Sequence, residues 1–138
     1  MKRSGLASVA LFGMASLANA DVMQCPELDT CCQATNVASR TTTWPSFRDA
    51  ITSARGCDDG WIAEAYSDQV SLMLSEHWAE VGELGRVCTS DPWLCEFVLK
   101  HLDETVPADR LLRIRDLAHT ECPKEQRKLC KQIRKRTG

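Results

Sequence analysis

Eight cysteines, Cys25, Cys31, Cys32, Cys57, Cys88, Cys95, Cys122 and Cys130, constrain this chain more than any other feature, because their number is even and all lie beyond the N-terminal leader-like segment. An even set in a short chain predicts a disulfide framework, formed outside the reducing cytosol. Redox catalysis and zinc binding are disfavoured, since no Cys-x-x-Cys occurs and both chemistries draw on that spacing. Structural bridges, up to four of them, are therefore expected. Adjacent Cys31 and Cys32 should take different partners, because a vicinal bridge is strained. Cys88 and Cys95 suit a local pair, with Cys88 in a turn before the next helix. Cys122 and Cys130 are expected to bridge to different elements, since a regular helix would hold them about 12 Å apart and a bridge tolerates about 7 Å.

The leader reading rests on three features. Lys2 and Arg3 form a positive start, Leu6 to Leu17 is apolar or small throughout, and Ala18-Asn19-Ala20 offers small residues for signal-peptidase cleavage. Residues 1–20 are thus expected to be a signal peptide, and 21–138 a single helical disulfide-rich domain. The apolar run is short of the roughly 20 residues that a membrane span needs, so no stable membrane span is expected. Cys25 stands too far from the cleavage site to carry a lipid. The short Ala-Asn-Ala ending points to a bacterial periplasm, or to secretion.

Apolar spacing of three to four residues runs through the mature region, which predicts an all-α fold, a compact bundle of about five helices. Trp44-Pro45 opens one helix with Phe47, Ile51 and Ala54 inward and Gly56 ending it. Asp58-Asp59-Gly60 precedes the strongest stripe, Ile62, Tyr66, Val70, Met73, His77, Val81 and Leu84, widened by Ala65, Leu72 and Leu74. Ser90-Asp91-Pro92 caps a helix carrying Leu94, Val98 and Leu102, and Thr105-Val106-Pro107 repeats that start signal before Leu111, Ile114 and Ala118. After Pro123 a last helix buries Leu129, Cys130 and Ile133. A short helix is expected around Leu28 to Thr35.

Charge is divided along the chain. Asp21 to Asp109 holds 16 acidic and 5 basic side chains, whereas Arg110 to Gly138 holds 10 basic and 3 acidic. A basic module of this kind can meet anionic lipid, lipopolysaccharide, peptidoglycan or an acidic protein, fold back on the acidic part of its own chain, or form a solvated helix face. Its exposed candidates are Lys124, Arg127, Lys128, Lys131, Arg134, Lys135 and Arg136. No nucleic-acid partner is expected, because Tyr66 is the sole tyrosine and no tryptophan falls in the basic stretch.

Catalytic signals are weak. Glu76-His77-Trp78-Ala79-Glu80 lacks the His-Glu-x-x-His zinc spacing, and His77 falls on the apolar stripe, where a core histidine is the ordinary outcome. Glu76, Glu80 and Glu83 follow helical spacing, as a solvated face does. No Gly-x-Ser-x-Gly or phosphate loop is present, so no catalytic residue, metal site or cofactor is assigned. The adjacent cysteine pair invites comparison with plant lipid-transfer proteins and secreted phospholipases A2. The first fail on cysteine order, and the second because Gln33-Ala34-Thr35-Asn36 replaces a catalytic His-Asp.

The segment Trp61 to Ile133, with Phe97-Val98-Leu99-Lys100-His101-Leu102-Asp103 and then Cys122-Pro123 to Cys130, resembles small uncharacterised exported proteins of Gram-negative bacteria. The resemblance implies a compartment and no chemistry. The functional expectation is a small periplasmic binding protein acting through protein-protein contact in the cell envelope, as an inhibitor or immunity protein. Its alternatives are an apolar-ligand or envelope-lipid binder beside the Ile62 to Leu84 stripe, and a small hydrolase using His77 and a carboxylate.

Overall fold

In the computed structural model, residues 24–26 and 29–138 are described; the signal-peptide reading of residues 1–20 and cleavage after Ala20 lie outside them. Seven helices occur among the described residues: α1 (Thr30–Ala38), α2 (Trp44–Thr52), α3 (Gly60–Glu76), α4 (Val81–Ser90), α5 (Pro92–Lys100), α6 (Ala108–Thr120) and α7 (Arg127–Thr137). Short 3-10 turns at Trp78–Glu80 and Lys124–Gln126 precede α4 and α7. The all-α, disulfide-stapled class is as expected. The helices are more numerous than five because the long stripe breaks at His77 into α3 and α4, and because the short N-terminal segment forms a helix of its own, Thr30–Ala38.

Local chemistry accounts for the starts. Thr43 accepts a hydrogen bond from the Ser46 backbone N–H ahead of α2, with Pro45 in the first turn. Asp91 caps α5 in the same way through the Leu94 N–H, ahead of Pro92. Each cap satisfies a donor that the helix itself leaves open. Asp29 does so for α1 through Cys32 N–H, a cap next to the disulfides that anchor the same helix.

Helix α3 is central and packs on α1 and α6, while α4 contacts α2 and α5, and α7 lies against α6 and α5. Trp44, Phe47, Tyr66 and Phe97 join edge to face or tilted at centroid distances of 5.3 to 6.4 Å. Burial of such rings contributes about 2 to 3 kcal/mol each. Phe47, Ile51, Ala54, Leu94, Val98, Leu102, Ile114, Ala118, Leu129, Cys130 and Ile133 are buried as the periodicity predicts.

His77 departs from expectation. It is exposed, and it terminates α3 with φ −123° and ψ 40°. The chain turns there so that Trp78 can bury its ring and donate from Nε1 to the Glu121 carbonyl at 2.9 Å. Val81 and Leu84 return to the core on a separate helix, so the apolar stripe resumes without the histidine.

Four bridges close the framework: Cys25–Cys32, Cys31–Cys57, Cys88–Cys95 and Cys122–Cys130. Cys31 and Cys32 take different partners, and Cys88 pairs with Cys95, as expected. Cys88 sits in the last turn of α4 rather than in a loop. The separation expected for Cys122 and Cys130 is overturned: their Cα atoms lie 6.2 Å apart. The helix does not start at Pro123; three residues of 3-10 turn intervene and α7 begins at Arg127, so the chain reverses between the two sulfurs. Four bridges belong to a chain folded in oxidising, extracytosolic surroundings.

Candidate functional site

The basic module divides in two. Helix α6 turns two of its three arginines onto α3: Arg110 reaches Asp68 at 2.6 Å and the Ser71 hydroxyl at 3.0 Å, and Arg113 donates to the Ser75 carbonyl at 2.9 Å beside Glu76. This part does fold back on the acidic half. Helix α7 does not. It carries Arg127, Lys128, Lys131, Arg134, Lys135 and Arg136 with no acidic residue, and among the described residues none of these six forms a salt bridge. Lys124, Arg127, Lys128, Lys131, Lys135 and Arg136 are exposed. Arg134 is half-buried and donates to the Ala118 carbonyl at 2.9 Å, so it serves the α6–α7 packing instead.

Three tie points set the rotation of α7. The Cys122–Cys130 bridge, the Arg134–Ala118 bond and the approach of the Arg115 side chain to Gly138 step along the two helices in opposite directions, which makes them an antiparallel hairpin. At 3.6 residues per turn, burying Leu129, Cys130 and Ile133 leaves one broad cationic face, whose two edges differ in surroundings. Lys128, Lys135 and Arg136 line hollows beside α5 with Gln132, whereas Arg127 and Lys131 line neither hollow.

A second cluster, absent from the sequence reading, surrounds His101. Trp93, Phe97 and His101 follow one another at helical spacing along α5 and its end, with centroids 5.0 and 4.4 Å apart. The loop after α2 clamps both ends of this ladder. Arg55 stacks on Trp93 at 4.2 Å and pairs with Asp91, while Asp58 meets Lys100 and lies 3.0 Å from His101 Nε2. Cys57, between them, is bonded to Cys31. A hollow of about 350 Å³ remains between loop and ladder, lined by Arg55, Asp58, Trp93 and Lys100 among others.

Behind Asp58, His101 Nδ1 lies 2.8 Å from the Ser67 hydroxyl, which also donates to Asp103 at 3.0 Å. These are the residue types of a hydrolytic triad, but Ser67 is 2% and His101 1% exposed. A nucleophile so enclosed has no room for a substrate carbonyl. The cluster is a lock joining α3, α5 and the flanking loops. Burial holds the His101 pKa below its ordinary value against the pull of Asp58, with Lys100 adding to the lowering. Asp103 is held low although burial alone would raise it, because Thr105 and Ser67 donate to it and His101 lies nearby. His101 followed a charged residue and carried no motif, so only the tertiary contacts reveal it.

The remaining sequence candidates separate rather than converge. His77 is remote in the chain from this lock and exposed, and Glu76 stands 3.9 Å from Arg113. Of the stripe expected to flank an apolar cavity, Tyr66, Val70, Met73, Leu74, Val81 and Leu84 are buried. Among the described residues no helix is long and apolar enough to cross a membrane, and no group of three or more His, Cys, Asp or Glu is placed to hold a metal.

What the fold and its surface define is a class: a disulfide-stapled, all-α domain with one unpaired cationic helix. No protein-family model, curated protein or solved structure matches the chain.

Proposed function

We propose that this chain is an exported, periplasmic binding protein that acts through protein-protein contact in the cell envelope, in the manner of an inhibitor or immunity protein. The observation that carries the reading is α7, whose cations form no ion pair among the described residues while Arg110 and Arg113 of neighbouring α6 meet α3. Long basic side chains left in solvent on a rigid body steer an acidic partner and fix its orientation. Rigidity is supplied by the four bridges and the His101 lock, so little ordering cost falls on association. Lys2, Arg3 and the Ala18-Asn19-Ala20 ending support export.

The test is affinity capture from an envelope fraction, followed by titration of the captured protein. One acidic partner bound at submicromolar affinity, with binding that weakens as salt rises, is the expected result. Absence of any stoichiometric partner, in fractions from cells that express the chain naturally, would overturn the reading.

A further inference from the structure

Two adjoining hollows of about 460 and 520 Å³ run between α5 and α7 and share Gln132. Leu129 and Leu99 lie at their base, and Lys128, Lys135 and Arg136 stand along the α7 side. We infer that this groove is a peptide-binding site, and that its occupant is an acidic segment of the protein partner, an inference that rests on the function proposed above.

Charge complementarity selects the occupant. Lys135 and Arg136 flank one hollow with no carboxylate among its lining residues, while Glu96 and Glu125 line the other beside Lys128. A bound segment is therefore acidic at the Lys135–Arg136 end and neutral or basic towards the α4–α5 junction, which gives it a direction. An anionic membrane fits less well. Helices that lie on membranes insert an apolar face among the lipids, but Leu129, Cys130 and Ile133 of α7 are buried against the rest of the fold. A flat anionic surface would also meet Glu96 and Glu125, which are exposed.

Two charge reversals of equal size separate a groove from a general field. The first is Lys128→Glu/Lys135→Glu/Arg136→Glu, on the groove stripe. The second is Lys124→Glu/Arg127→Glu/Lys131→Glu, on exposed positions of the same helical segment outside it. All six side chains are exposed, and circular dichroism checks that both variants remain folded. The probe is a short labelled peptide with glutamate and leucine alternating in one half and glutamine and leucine in the other, titrated by fluorescence anisotropy and mapped by amide chemical shifts, alongside phosphatidylglycerol vesicles.

The expected result is binding weakened about tenfold or more by the groove reversal and less than about threefold by the other, with shifts centred on Leu99, Gln132 and Lys135. Equal weakening by both reversals, no binding of the peptide, or tighter binding to the vesicles would each overturn the groove. The envelope capture is independent. A partner captured equally by wild type and both variants leaves the proposed function standing and removes the groove, whereas loss confined to the groove reversal supports both.

Discussion

His101 shows how one buried side chain can make folding sensitive to pH. Its ring faces Asp58 and Lys100 on one side and Ser67 and Asp103 on the other, with Tyr66 and Phe97 packed against it. Ser67 has one proton and two acceptors within reach. A charged imidazole would relieve that competition by donating from Nδ1, yet burial outweighs the gain and lowers the pKa from 6.5. The unfolded chain then takes up the proton first as pH falls, so stability present above about pH 6.5 is lost progressively towards the folded pKa. Urea midpoints should fall between about pH 7.5 and 5.5, and His101→Gln should flatten that slope. An unchanged slope would show that His101 does not titrate differently on folding. Gly60 offers a simpler test. Its φ of +55° opens α3, and a Cβ there meets no atom within 4 Å, so Gly60→Ala adds backbone strain alone. The expected loss is about 1 to 2 kcal/mol by chemical denaturation. Gly56→Ala, also uncrowded and without a positive φ, serves as the near-neutral control.

Elements were legible where caps and spacing agreed. Thr43 with Pro45, and Asp91 with Pro92, mark the starts of α2 and α5 in the residues themselves. The end of α3 was not legible, because the signal that breaks it is a bond from Trp78 to Glu121, a residue 43 positions away. For the same reason a histidine at helical spacing looked buried and is exposed. The Cys122–Cys130 pairing is not legible in the sequence, because an idealised helix from Pro123 would separate the two, whereas the 3-10 turn after Pro123 delays α7 to Arg127. That bridge closes a short loop, so Cys122→Ser/Cys130→Ser should cost about 2 to 3 kcal/mol. Loss of the wider Cys31–Cys57 ring, with a sequence separation of 26, should cost about 3 to 4 kcal/mol. Paired denaturation curves check the order. The opposite ranking would mean that the native contacts, rather than the freedom of the unfolded chain, set the contribution of each bridge.

On the scale of the molecule, the charge division in the sequence became a division in space only in part. Helices α6 and α7 are both basic-rich, yet α6 is matched by Asp68 and approached by Glu76, and α7 is left to solvent. Composition shows an excess of cations in this quarter but not which helix keeps it, since that depends on which face each hairpin arm turns to α3. Surface charge of this kind affects association more than folding. Neutralising Lys128, Lys135 and Arg136 to glutamine should leave thermal stability within about 0.5 kcal/mol, measured in a thermal melt. A larger loss would mean that the stripe contributes to the fold itself.

The connectivity of the bridges bears on how the molecule matures. Cys88–Cys95 and Cys122–Cys130 each join neighbours in the order of the cysteines, but Cys25–Cys32 and Cys31–Cys57 overlap. A chain oxidised as it emerges N-terminus first, each thiol joining the next, would reach the native bonds in its second half directly. In its first half it would join Cys25 to Cys31 and Cys32 to Cys57, and only exchange of sulfur partners corrects that error. Uncatalysed exchange of this kind, begun by an attacking thiolate, takes minutes to hours, which confines the slow step of assembly, and the need for an isomerase, to α1 and the loop that holds the aromatic ladder.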